Sequence, residues 1–101
     1  MLAYGGAVLI AVLLISETTV EKLASHHISP EEVRQVSDGD RIVLRNPRPR
    51  VEGSVLMIGP THGGRMLTVV LNPDPADDGA WHVRTAWQAS DAQVGRYRRD
   101  R

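Results

Sequence analysis

The chain has 101 residues, which is enough for a single domain with one small hydrophobic core. Its 12 basic residues balance 12 acidic residues, so the net charge gives no support for nucleic-acid binding by the chain as a whole. The sequence contains no cysteine, which excludes disulfides and thiolate chemistry and is compatible with a reducing cytoplasm.

The charges are unevenly placed along the chain. Residues 1–40 contain six carboxylates and two basic residues, whereas residues 41–101 contain ten arginines and six acidic residues. Arginine, whose planar guanidinium group suits phosphate or carboxylate, accounts for eleven of the twelve basic residues. The arginines are densest in two segments, 41–50 and 96–101. For any single arginine, a solvated surface position is the simpler interpretation.

The N-terminal segment is apolar and carries no charge before Glu17. It therefore lacks the basic start of a signal peptide, and its apolar run is shorter than the roughly 20 residues that span a membrane. The aliphatic residues from about Ala11 to Ile15 predict a buried first strand. Residues 1–8 fit an extension, a disordered tail or a weak membrane or partner anchor, of which we favour the extension. We thus expect an extension at 1–10, a single domain at 11–101, and no membrane association.

A first short helix is predicted after this strand. It begins at Ser16 or Thr18 and ends near His26, and His27 takes the exit position that glycine or asparagine usually occupies. The spacing of three apolar residues predicts its inward stripe: Val20, Leu23 and Ala24.

The start of a second helix is the clearest local signal in the sequence. Ser29 and Glu32 have the spacing of a capping box, and Pro30 between them fits the first turn. Ile28 and Val33 occupy the two positions of a hydrophobic staple. The pattern predicts a helix from Pro30 to about residue 36 and a fixed angle between the two helices.

The rest of the chain alternates strand-like segments with turns and closes with one helix capped by Ser90. The predicted strands are Arg41–Arg45, Ser54–Ile58, Met66–Leu71 and Trp81–Trp87. Met66–Leu71 is the most hydrophobic of them and is expected to be central. The order β-α-α-β-β-β-β-α predicts an α+β fold in which an antiparallel sheet carries two N-terminal helices and one C-terminal helix.

Strict alternation along the last strand assigns its side chains to two faces. One set is expected to pack under the helices: Trp81, Val83, Thr85 and Trp87. The other set is expected on the open face of the sheet: His82, Arg84 and Ala86.

This order of elements and several local patterns resemble the BrnT-type toxins of bacterial toxin–antitoxin pairs, which have a RelE-like fold. The similar segments lie at the corner between the two helices, in the hairpin at residues 58–70 and at the end of the last strand with the last helix. The resemblance covers residues 11–99. Three residues of the family pattern are present in this chain: His26, Arg65 and Tyr97. The cations of the family pattern are replaced at Ser25, Pro60 and Trp87.

The resemblance implies a cytoplasmic, metal-independent endoribonuclease that needs no cofactor. In that reaction the 2′-hydroxyl of RNA attacks the adjacent phosphate, which requires proton carriers and cations for the developing charge. An antitoxin protein is the implied partner and RNA the implied substrate. The four histidines lack the spacing of zinc ligands, so we predict no metal site.

The candidate catalytic residues have two kinds of role. Arg65 and Arg84 are expected to stabilise charge on the phosphate, and His26, His82 and Tyr97 are the candidate proton carriers. For His26 a helix C-terminal cap, and for Tyr97 a core anchor of the last helix, are the simpler interpretations. Four further arginines are expected to bind RNA or the antitoxin: Arg45, Arg48, Arg96 and Arg98.

The lost cations leave a second function open, that of a catalytically weakened relative that acts as a protein-interaction module. An acidic, partly disordered antitoxin segment could lie across the open face and order as it binds. The arginines expected to contact this segment are Arg45, Arg65, Arg84 and Arg96.

Overall fold

The order of elements is the feature that the sequence predicts best. The structure is a computed structural model that describes residues 8–101, so the N-terminal extension expected at residues 1–10 lies mostly outside the described residues. Within this range the chain forms β1 (Val12–Leu14), α1 (Glu17–Ser25), α2 (Pro30–Asp38), β2 (Ile42–Arg45), β3 (Val55–Pro60), β4 (Met66–Pro73), β5 (Ala80–Gln88) and α3 (Asp91–Asp100). The predicted α+β class and the order β-α-α-β-β-β-β-α are confirmed. No helix in residues 8–101 has the length and apolar character needed to cross a membrane.

The sheet has the strand order β1-β5-β4-β3-β2, so β4 is central, as predicted. Strands β2 to β5 pair antiparallel with their neighbours. Strand β1 runs parallel to β5, with Val12 opposite Ala80 and Leu14 opposite His82, so the sheet is mixed. The expectation of a fully antiparallel sheet is wrong for β1, because most of the chain separates it from its partner and no turn signal fixes its direction.

Strand β1 is also less buried than predicted. It lies at one edge of the sheet, and Val12 and Leu14 are 48% and 39% exposed. Only Leu13 of this strand packs against the core. Contacts with the domain begin before residue 11, because the indole Nε1 of Trp81 donates to the carbonyl oxygen of Leu9 at 2.9 Å.

Helices α1 and α2 cover one face of the sheet, which we call the helical face. Ser16 caps α1 by accepting a hydrogen bond from the backbone N–H of Thr19. Thr19 is buried and donates its hydroxyl to the carbonyl oxygen of Val83 at 3.1 Å, and Leu23 is fully buried beside it. Because Thr19 takes the inward position, Val20 turns outward and is 37% exposed. Ala24 is exposed as well, so of the predicted inward stripe only Leu23 is confirmed, and the inward places of Val20 and Ala24 are wrong.

The exit of α1 follows the predicted pattern. His27 adopts φ 59°, the left-handed conformation that normally favours glycine. Its N–H donates to Ala24, and the N–H of Ile28 donates to Leu23 at 3.0 Å. These two bonds satisfy carbonyls that the end of a helix would otherwise leave unpaired.

The start of α2 is also as predicted. Ser29 and Glu32 form a reciprocal capping box, and Pro30 occupies the first turn. Ile28 and Val33, the predicted staple, are both buried in the core on the helical face. The corner between α1 and α2 is therefore held by backbone bonds on one side and apolar burial on the other.

Helix α3 packs on the opposite face of the sheet. Tyr97 is buried among Ile42, Leu44 and Ile58, and its hydroxyl donates to the carbonyl oxygen of Asp40 at 2.6 Å. The helix thus covers the part of this face nearest the start of β2 and the end of β3. The remaining part, which we call the open face, is not covered by a helix.

Candidate functional site

A β-bulge in β5 shapes the open face. Leu71 of β4 pairs with Val83, and Val70 pairs with Thr85, so Arg84 is the extra residue on the bulged strand. A bulge of this kind changes the direction in which the following side chains point.

The bulge corrects part of the predicted face assignment. Trp81 and Val83 contact the core on the helical face, as predicted, whereas Ala86 is buried there against the prediction. Thr85 and Trp87 lie instead on the open face. The prediction rests on strict alternation, and one extra residue at position 84 reverses the alternation from Thr85 onward.

The open face contains a cleft of about 450 Å³, which we call the arginine cleft. It lies between the loop that joins β2 to β3, the bulged part of β5 and the first turn of α3. Leu56 and Val70 contribute apolar surface. The other lining residues are Asn46, Pro47, Arg48, Arg50, Ser54, Asn72, Arg84, Thr85, Trp87 and Gln93.

Arginine side chains without partners give this cleft its charge. The guanidinium groups of Arg48, Arg50 and Arg84 make no hydrogen bond or ion pair with residues 8–101. No aspartate or glutamate is among the described residues that line the cleft. A concave surface that carries cations and no carboxylates focuses the electrostatic field and attracts anions.

A second cleft, of about 590 Å³, adjoins the first and is called here the histidine cleft. Asn72 and Arg84 line both clefts, so the two are continuous at these residues. On the far side of Arg84 the histidine cleft is lined by His82 and by Lys22 of α1. The combined surface is an elongated track with cations along its length.

His82 is held by a carboxylate at the edge of this track. Its Nε2 lies 2.8 Å from Oδ1 of Asp74, and the hydrogen bond to His82 is the main reason that the pKa of Asp74 is lowered. A charged carboxylate only accepts hydrogen bonds, so Nε2 carries the proton and donates. In the neutral imidazole, Nδ1 is then left as an acceptor, which is the form that a general base needs.

Arg65 does not reach the open face. Its guanidinium group donates to the carbonyl oxygens of His27 at 2.7 Å and His26 at 3.2 Å, and it lies 3.6 Å from Glu32. It is therefore bound to the corner of α1 and α2. Asn72 of β4 pairs with His82. The extended chain from Arg65, which directly precedes β4, to Asn72 spans about 23 Å at about 3.3 Å per residue. Arg65 and Arg84 are thus not brought together, contrary to the expectation that they share one surface.

His26 and Tyr97 are also separate from the clefts. His26 is the C-cap residue of α1, and its carbonyl rather than its ring is used. Burial is the main cause of the raised pKa of Tyr97, whose hydroxyl donates to a backbone carbonyl. Both residues occupy the positions that the simpler interpretations gave them.

The four arginines expected to bind RNA or the antitoxin are dispersed. Arg48 lines the arginine cleft. Arg45 follows Val43 and Leu44 on β2 and by alternation shares the side of Val43, which is the helical face. Arg96 forms an ion pair with Asp100, and Arg98 is exposed on α3 outside both clefts.

The sequence did not identify several residues of the track. Asp74 belongs to an acidic loop and gave no sign of a partner, although a hairpin that pairs β4 with β5 does bring position 74 near position 82. Arg50 lies in the dense segment 41–50, where nothing in the sequence distinguishes it from the neighbouring arginines. Asn72 gave no sequence signal.

Chemically, the track can bind anions and can move a proton at His82. No group of three or more His, Asp or Glu side chains in residues 8–101 is placed to hold a metal ion. Comparison with protein-family models found no match, and comparison with curated proteins found none. The resemblance to BrnT-type toxins stays a prediction from the sequence.

Proposed function

We propose that this protein is a metal-independent endoribonuclease of the toxin type that binds single-stranded RNA along the arginine and histidine clefts. The observation that carries the proposal is the set of guanidinium groups without partners around one cleft. Arginine forks pair well with phosphate, and phosphate contacts account for most of the affinity of sequence-independent RNA binding.

The chemistry is assigned to His82 and Arg84, which line the same cleft. Nδ1 of His82 accepts the proton of the 2′-hydroxyl, and the 2′ oxygen forms a bond to the adjacent phosphorus. Arg84 stabilises the negative charge that develops on the phosphate. The bond from phosphorus to the 5′ oxygen breaks, and this oxygen takes a proton from a water molecule. The hydroxide left by that water takes the proton from Nδ1 of His82, which restores the neutral imidazole, and a 2′,3′-cyclic phosphate remains on the RNA. Asp74 orients the imidazole and keeps its Nε2 protonated.

Cleavage of a labelled single-stranded RNA in the presence of a chelator tests this proposal. We expect a product that ends in a 2′,3′-cyclic phosphate. Arg84→Ala should lower the cleavage rate by about 10²-fold or more, which is the scale for loss of one transition-state donor. Arg84→Lys should restore only part of the rate, because lysine lacks the planar fork. Arg98→Ala is the matched control, since Arg98 is exposed outside both clefts.

His82 is tested separately from charge stabilisation. His82→Gln should lower cleavage by about 10²-fold, the lower range for loss of a general base, while RNA binding is retained. Asp74→Asn should have a smaller effect in the same direction. Full cleavage by both the His82→Gln and Arg84→Ala proteins would contradict the assignment.

A second function is favoured by one observation, that His82 is the only histidine among the described residues that line either cleft. A site with a single proton carrier fits the interaction module, in which the arginine cleft binds an acidic segment of an antitoxin. Titration with an acidic peptide at low and high salt tests this function. Tight, salt-sensitive binding that is lost in Arg48→Ala and Arg84→Ala, together with no RNA cleavage, would favour it over the nuclease.

A further inference from the structure

Trp87 is an aromatic residue that the proposed cleavage does not use. The bulge at Arg84 turns it away from the helical core and into the arginine cleft, where it is half-buried. The part of the indole that stays accessible gives the cleft an aromatic surface. A planar aromatic ligand could stack on this surface.

Hydrogen bonds hold the indole and the residue beside it. Nε1 of Trp87 donates to Oε1 of Gln93 at 3.2 Å, and the same oxygen accepts from the hydroxyl of Thr68 at 2.9 Å and from the backbone N–H of Ser90 at 2.9 Å. Three donors on one oxygen fix which end of the amide is which. The amide nitrogen of Gln93 has no partner among the described residues, so Gln93 offers a ligand donors only.

The cleft combines apolar and charged surface in a way that selects for one ligand chemistry. Leu56, Val70 and Trp87 provide apolar and aromatic surface, while Arg48, Arg50 and Arg84 provide charge. A ligand that satisfies both has a flat aromatic part and an anionic part. The volume of about 450 Å³ lies in the range of small-ligand sites, roughly 300–1,000 Å³. A nucleotide meets all three conditions.

We infer that Trp87 is the stacking platform of a nucleobase subsite in the arginine cleft. One base of the bound RNA lies against the indole, Gln93 donates to an acceptor atom of that base, and the neighbouring phosphate contacts Arg84. This subsite deepens the proposed function and rests on it, because it assigns to Trp87 the base that precedes or follows the phosphate at Arg84. It also explains why an aromatic residue stands on the open face next to the bulge.

Fluorescence of a single tryptophan tests the subsite directly. The sequence contains two tryptophans, and Trp81 lies on the helical face, so Trp81→Phe leaves Trp87 as the reporter. A short oligoadenylate should quench the emission of this protein in a saturable way. An abasic oligomer of the same length should not, because it carries the phosphates without the bases. The Trp87→Phe protein, in which Trp81 reports, is the control and should show no quenching.

Affinity for the same labelled oligoadenylate provides the second measurement. Trp87→Leu should weaken binding by about fivefold or more, the lower end for removal of one base stack, whereas Trp87→Phe should stay within about twofold because the ring is kept. Circular dichroism shows whether both variants fold. If Trp87→Leu does not fold, quenching in the Trp81→Phe protein decides alone.

The outcomes separate the subsite from the function on which it rests. RNA binding with no quenching of Trp87 and full affinity in Trp87→Leu would overturn the subsite and leave the proposed function intact. If the parent protein binds no RNA, the proposed function fails, and adenosine monophosphate then decides the subsite. Quenching of Trp87 by this nucleotide supports the subsite, and absence of quenching overturns it.

Discussion

Arg65 acts on the backbone of the helical corner. Two of its N–H groups donate to the last carbonyls of α1 and its exit, and Glu32, which also caps α2, lies beside it. A cation at a helix C-terminus also interacts favourably with the helix dipole. These contacts give Arg65 a structural role that accounts for its position without any substrate.

Replacement of Arg65 should therefore lower stability more than it affects the clefts. Arg65→Ala is expected to reduce the free energy of unfolding by about 1–2 kcal/mol, because two hydrogen bonds from a charged donor are lost at a half-exposed site. Denaturant unfolding measures this change. His26→Ala is the control and should change stability by less than about 0.5 kcal/mol, because only the carbonyl of His26 is used. Equal stability of Arg65→Ala and the parent protein would contradict the structural role.

His27 offers a second test at the same corner. A side chain with a branched Cβ is strained at φ 59°, so His27→Val should destabilise the protein by about 1–2 kcal/mol. His27→Gly removes this strain and should leave stability equal or higher, with the gain offset in part by the greater freedom of glycine in the unfolded chain. Thermal unfolding of the two variants under one condition compares them. A Gly variant less stable than the Val variant would contradict the left-handed exit.

At the scale of elements, the predictable parts of the fold are those with local chemical signals. The capping boxes at Ser29 and Ser90 gave the starts of two helices, and His27 was identified as the exit of another. These features depend on residues within four positions of one another, which a sequence shows directly. The order of elements followed from them and from the alternation of apolar residues.

The parts that were not predictable depend on pairing between distant residues. The bulge at Arg84 arises from register with β4, and it alone decides that Trp87 faces the arginine cleft. Likewise, the sequence predicts that Arg65 and Arg84 act on the same phosphate, whereas the long side chain of Arg65 folds back to the exit of α1. The candidate site could therefore be predicted as far as His82 and Arg84 on one face, but not as a cleft.

Tyr97 tests the packing of α3 separately from catalysis. Tyr97→Phe keeps the ring in the core and removes the hydrogen bond to Asp40, so we expect a loss of about 1 kcal/mol in the free energy of unfolding. RNA binding and cleavage should be unchanged, because the Tyr97 side chain lies between α3 and the sheet, outside both clefts. A large loss of cleavage with full stability would instead assign Tyr97 to the reaction.

For the whole molecule, the separation of charges matters more than their balance. The chain is formally neutral, yet the arginine cleft contains no carboxylate among its described lining residues. Acidic residues elsewhere cancel the total without neutralising this surface, since charges are screened beyond about 8 Å at physiological ionic strength. A neutral protein can thus bind a polyanion through one face.

Salt dependence measures how many of these cations bind phosphate. If Arg48, Arg50 and Arg84 each neutralise one phosphate of single-stranded RNA, the logarithm of affinity should fall with the logarithm of salt concentration with a slope of about −2, at about −0.7 per phosphate. Each single Ala variant should reduce the slope by about 0.7, and Arg98→Ala should leave it unchanged. A slope near zero for the parent protein would contradict binding through these arginines.

The parallel pair of β1 and β5 has a consequence for how the protein folds. Val12 lies opposite Ala80, so this pair closes a loop that contains most of the chain, whereas β2 to β5 join through short connections. Closing a long loop costs entropy before its few contacts form, so β1 is expected to dock last and to open first. Native-state hydrogen exchange should then show the least protection among the strands at Val12–Leu14. Rapid opening there would leave β5 with an unpaired edge and would remove Leu14 from the wall of the histidine cleft, while the arginine cleft, which β1 does not line, stays intact.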